Sequence, residues 1–77
     1  MQRREAAVSE NIKVWLLAML STEISIELAA IDNERNWADG ADDPDTHEMY
    51  LANAKEHESY VEVLRGLHAR VEAGTLP

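Results

Sequence analysis

Apolar and polar residues alternate with a helical period over most of the chain, and two long segments carry that period. No Pro or Gly occurs between residues 1 and 39, and only Gly66 falls between residues 45 and 73. The first segment places Ile12, Leu16, Met19, Leu20 and Ile31 on one side of a helix, with Val14, Leu17, Ile24 and Leu28 beyond. Ser9 offers an N-cap for a helix over 9–37, although the period is compatible with a start near Arg4. The segment Ala38-Asp39-Gly40-Ala41-Asp42-Asp43-Pro44 has the composition of a turn. Asp45 then predicts an N-cap with Glu48 three residues on, opening a second helix over 46–73 that Gly74 terminates. A connection this short favours antiparallel neighbours, so the expected fold is all-α, an antiparallel helical hairpin in one domain spanning 1–77.

The first helix is apolar around most of its circumference, and one partner helix cannot cover it. The expectation is a homodimer forming a four-helix bundle, extending to a larger ring. Size points the same way. At 77 residues, with no Phe, no Cys and four Trp and Tyr in all, the core must come from aliphatic side chains without disulfides. A metal, a partner subunit, or both is the natural supplement. The longest nearly uncharged run, Val14 to Thr22, is nine residues, short of the roughly 20 that span a bilayer. Arg3 and Arg4 ahead of an apolar stretch imitate a signal peptide, but Glu5, Glu10 and Lys13 interrupt it. The expected location is cytoplasmic, or enclosed in a protein compartment.

Fifteen Asp and Glu against seven Lys and Arg give a net charge of −8. That disfavours nucleic acid and anionic membranes as partners, since both are recognised through cationic side chains. The absence of Cys removes thiolate chemistry and sulfur-ligated metal sites.

Some polar residues fall where core residues belong. At about 100° per residue, Glu23, Glu27 and Glu34 share a stripe with Leu16, Leu20 and Ala30. Carboxylates there are costly unless protonated, paired or bound to metal. On the second helix, Asn53, His57 and Tyr60 lie within the arc of Met49, Leu64, Leu67 and Val71, and Glu56 borders it. An antiparallel hairpin turning near Ala41 brings Glu27 level with Lys55 and Glu56, and Glu23 level with Ser59. Glu23, Glu27, Glu56, His57 and Tyr60 are thus expected to converge. Glutamates and a histidine projecting inward from bundle helices form metal sites, and imidazole with carboxylate suits iron, manganese or zinc. The alternative is an ordinary interface, with Glu23 and Glu27 paired to Lys55, Arg65 or Lys13, His57 a satisfied core histidine and Tyr60 a packing residue. The protein is then a metal-free dimerisation or adaptor protein that docks a partner helix. His68 lies near the apolar centre of the second helix with no acid of the first clearly level with it. The acidic turn lacks the oxygen spacing of an EF-hand.

The stretch Glu27-Leu28-Ala29-Ala30-Ile31-Asp32, followed by Asp43-Pro44 and by Lys55-Glu56-His57-Glu58, resembles the encapsulated ferritins. These are short ferritin-like hairpins that dimerise, build rings and oxidise Fe(II) inside a protein shell. The resemblance covers about 35 residues and implies iron binding at the subunit interface, with Fe(II) oxidation or storage as the activity. It also implies that Glu27 is the first-helix ligand and that a shell protein is a partner. The family carries Glu-x-x-His on its second helix. In the gapless register His57 and Tyr60 stand at those two places, and matching His57 to the family histidine puts Ala54 in place of the glutamate. A looser resemblance, Trp37-Ala38-Asp39-Gly40 in the turn, is to the Trp-x-Gly motif of small proteins secreted by type VII systems, here spaced Trp-x-x-Gly.

Overall fold

The computed structural model describes the backbone of residues 2–74 and the side chains of residues 10–74. It is an antiparallel hairpin of two helices, α1 (Gln2–Asp39) and α2 (Pro44–Ala73), in an elongated Cα envelope of 63 × 17 × 12 Å. Both helices are longer than their sequence signals predict at the N-terminal end. Ser9 lies inside α1 rather than capping it.

The cap of α2 is also displaced from its expected place. Asp43, not Asp45, is the N-cap: its Oδ2 accepts from the Thr46 backbone N–H at 3.0 Å and from the Thr46 hydroxyl at 2.7 Å. Pro44 explains the shift. It occupies the first helical turn, where its missing N–H costs nothing and its fixed φ suits the helix. Thr46, three residues after the cap, takes the position that the Asp45–Glu48 box would have given to Glu48. The Thr46 hydroxyl and N–H hold the Asp43 carboxyl below its ordinary pKa of 3.8. At the other end Gly74 closes α2 in the left-handed region, at φ 72°, with its N–H directed to the carbonyls of Arg70 and Val71. Across the turn, His47 Nδ1 donates to the Ala38 carbonyl at 2.7 Å, satisfying an acceptor that α1 leaves open at its C-terminus.

The helices meet along one seam. Half-buried or buried positions recur every three and four residues, at 13, 17, 20, 24, 27, 31, 34 and 38 on α1 and at 47, 50, 54, 57, 61, 64, 68 and 71 on α2. That is the spacing of a two-helix coiled seam. Ile31, Ala54 and Val61 form its centre, with Ile24 packed against them, and Ala38, Leu64 and Val71 complete the buried set. The contact face of α1 is therefore rotated from the predicted one. Leu17 and Ile24 enter the seam, while Met19 is 53% exposed.

Residues 14–31 of α1 reach a mean hydropathy of 1.7, so by length and composition this helix is apolar enough to cross a membrane. The nine-residue run understates this, because Glu23 and Glu27 interrupt a longer apolar segment. A bundle helix covered on several sides has the same composition.

If the Asp43–Thr46 cap secures α2, Asp43→Ala lowers the thermal midpoint by several degrees and Asp45→Ala leaves it nearly unchanged. Circular dichroism melts of the two variants distinguish the caps.

Candidate metal centre at the helical seam

Glu27 and His57 are fixed at one depth because both occupy seam positions of long, uninterrupted helices. Glu27 Oε1 accepts from His57 Nδ1 at 2.8 Å. The carboxylate is the more buried partner, with its side chain 12% exposed against 34% for the imidazole. A carboxylate can only accept here, so Nδ1 carries the proton and Nε2 is left as the second ring nitrogen.

The electrostatics extend beyond this pair. The Glu27 hydrogen bond raises the His57 pKa above its ordinary 6.5. Partial desolvation opposes this, and the charges of Glu27, Glu34 and Glu56 reinforce it. Three carboxylates from two helices thus act on one imidazole. Glu34 is a site residue that the sequence places on the stripe without linking it to His57. Its Oε2 is buried with no hydrogen-bond partner, although it stands one heptad, about 10 Å of helix rise, from Glu27. The signal was the repeat itself, since Glu34 recurs seven residues after Glu27.

The other expected members lie around this pair. Glu56 is exposed beside the seam, and Tyr60 is 45% exposed. Glu23 is half-buried on the flank of α1, where it lines a shallow hollow with Trp15, Ala18, Met19 and Thr22. Glu27 faces His57, not the preceding Lys55 and Glu56. Of the cations considered as pairing partners, Lys55 and Arg65 line a hollow with Glu58 and Glu62 on the other side of the hairpin. Arg35 bridges to Glu58 on that same side. His68 contacts Ser21 at 3.3 Å and Glu72 of its own helix at 3.2 Å, so no acid of α1 faces it.

The side of the hairpin that bears Glu23, Glu56 and Tyr60 is otherwise apolar and open. Met49, Val63 and Leu67 are exposed there by helical register. Trp37 joins it near the turn, its ring 5.7 Å from that of Tyr50. Among the described residues of one hairpin, no group of three or more His, Asp and Glu stands close enough to hold an ion. The chemistry of the pair, an anchored imidazole and a half-buried carboxylate, suits a hard or borderline divalent ion, and the unpartnered Glu34 oxygen lies one heptad away.

No family model, curated protein or solved structure matches this chain.

The raised His57 pKa fixes a sign for the metal-free protein. Its contribution to stability is fully present below pH 6.5 and is lost as pH rises through the folded-state value above it. In EDTA, the melting temperature therefore falls as pH rises above 6.5. His57→Gln flattens that slope, as read by circular dichroism.

Proposed function

We propose that this protein is a homo-oligomeric, ferritin-like metal-binding hairpin. In this reading two copies join through the open apolar side into a four-helix bundle and hold a divalent metal, iron before manganese or zinc, at the subunit interface. The observation that carries it is the Glu27–His57 pair at 2.8 Å, acted on by Glu34 and Glu56 and bordered by exposed apolar surface. One hairpin supplies half a site, and a two-fold axis beside the pair doubles the donor set.

Within that assembly Glu27 and His57 are the primary ligands, with Glu23, Glu56 and Tyr60 in support. Glu27 keeps a negative oxygen at the interface, and the Nδ1 hydrogen bond fixes the His57 ring and leaves Nε2 as the ligating nitrogen. Glu34, with its free oxygen, is the next available acceptor or ligand along the seam. Bound iron supplies one-electron chemistry with oxygen, hence Fe(II) oxidation or storage. The apolar surround limits water at the interface. Residence in the cytoplasm or a protein compartment, with a shell protein as partner, belongs to the same reading.

A metal-free adaptor remains the competing function, favoured by the breadth of exposed apolar surface on α1. The two differ in linkage. Buried carboxylates near a two-fold axis repel unless protonated or metallated, so a metal-dependent assembly responds to chelator and an apolar adaptor does not.

The test is elemental analysis of the native protein with light scattering before and after EDTA. The expected result is about one or two ions per dimer, the stoichiometry of an interface site on a two-fold axis, with chelator-sensitive assembly. Substoichiometric metal with an unchanged oligomer overturns the metal reading. Glu27→Ala is expected to abolish metal binding and to stabilise the metal-free assembly by removing a buried charge; unchanged stoichiometry in that variant removes Glu27 from the site.

A further inference from the structure

The carboxylate-bearing side of the hairpin does not account for all of the apolar surface on α1. Ile12, Trp15, Met19, Thr22 and Ile26 recur at alternating spacings of three and four residues, tracing a second heptad stripe. Its centre lies roughly 140° around the helix from the seam with α2. The four large side chains are 47%, 67%, 53% and 55% exposed in chain order. Neither α2 nor a bundle built on the Glu27–His57 side reaches the centre of this stripe. A helix with two apolar seams on nearly opposite sides is built to be held from both.

The stripe is complementary to itself about its midpoint. Met19 lies halfway between Ile12 and Ile26. A two-fold axis through Met19, with the helices antiparallel, sets Ile12 of one copy against Ile26 of the other. The same operation brings the large Trp15 level with Glu23 and beside the small Thr22. Thr22 and Ala18, with Trp15, Met19 and Glu23, line a surface hollow of about 350 Å³. The polar groups match as well. The Trp15 indole N–H is a donor only and the Glu23 carboxylate an acceptor only, and neither makes a hydrogen bond within the hairpin among the described residues. The axis that brings Trp15 to the opposing hollow brings its N–H toward Glu23 of the second copy, and the pairing occurs twice.

Charge selects the occupant. Glu10, Lys13, Glu23 and Glu27 are the charged residues between positions 10 and 31. Of these, Lys13 and Glu27 belong to the seam with α2. A helix lying on a lipid surface uses a cationic polar face, which this one lacks on a chain of net charge −8. An uncharged stripe can pair with its own copy without like-charge repulsion at its centre. The exposed apolar area is on the order of 400 Å² per copy, toward the weak end of specific interfaces, so the contact forms in a concentration-dependent way.

We propose that the Ile12–Trp15–Met19–Ile26 stripe is a second self-association surface, pairing antiparallel with the same stripe of another copy about a two-fold axis at Met19. This goes beyond the metal reading. It gives Glu23 a partner in the indole of another copy, away from the Glu27–His57 pair, and it joins metal-binding dimers into the larger assembly.

The chain has no cysteine, so single thiols report the geometry without background. Met19→Cys, on the axis, is expected to cross-link nearly completely into a covalent dimer under mild oxidation. Ile12→Cys, carried away from its own copy by the antiparallel arrangement, is expected to remain monomeric on denaturing gels. Met19→Arg places like charges together and is expected to halve the mass seen by sedimentation while metal content per chain is unchanged. Absence of a Met19→Cys cross-link in a protein with native helicity overturns the proposal. Equal cross-linking of Ile12→Cys overturns the antiparallel axis. Thiol protection of Met19→Cys only in the presence of phosphatidylcholine vesicles assigns the stripe to lipid and likewise overturns it. In the Glu27→Ala background the Met19→Cys cross-link persists, so failure of the metal site and failure of this surface read out separately.

Discussion

The layer at which Glu27 meets His57 fixes the register of the hairpin. Two long helices with heptad-spaced aliphatic seams can slide past one another by a heptad at modest cost, because one Leu or Ile resembles the next. A polar layer removes that freedom. A one-heptad slip leaves Glu27, whose side chain is only 12% exposed, level with Tyr50 or Leu64 and without its imidazole. With Glu27 held to His57, Ile31 comes to Ala54 and Ile24 to the Ala54–Val61 group. At the turn, His47 reaches the Ala38 carbonyl at 2.7 Å and locks the same register from the other end.

That seam is too narrow to account for the chain's apolar content. Six hydrophobic residues are buried, and twelve large ones remain exposed along the described part of the hairpin. Seven of the twelve lie on α1, between Ile12 and Trp37, so the excess belongs mainly to one helix. The charged side, with Arg35, Lys55, Glu58 and Arg65, needs no cover. The other side places exposed Met49, Val63 and Leu67 around the polar layer, so any partner there encloses the imidazole and its carboxylates. The apolar surface and the titratable cluster are two properties of one side, which is why assembly and metal binding are proposed together.

Much of the hairpin was legible residue by residue. Pro44 fixes φ where α2 begins, Gly74 takes the left-handed conformation that ends it, and Gly40 falls in the turn between the helices. Glu27 and His57 stood out as polar residues on apolar arcs, and they prove to be bonded to each other. The rotation of α1 was not legible. Its apolar residues surround the helix, so the period admits several faces, and only the partner selects the one centred on Leu17, Ile24 and Ile31. Glu56 and Tyr60 sat close enough to the arc to join the predicted cluster, yet within one hairpin they border it.

The sequence by itself determined two helices, one turn, the antiparallel pairing and the pair of residues that breaks the apolar seam. These follow from local backbone preferences and from a period repeated over nearly thirty residues on each helix. The tertiary structure decided what a few degrees of helix rotation and two residues of register control. Asp43 replaces Asp45 as the cap because Pro44 sets where the helix begins. Glu27 meets His57 only when α2 lies antiparallel at this depth beside α1. Glu34 gains an unpartnered buried oxygen because it recurs one heptad along the same face, a position whose environment exists only once the second helix is beside it.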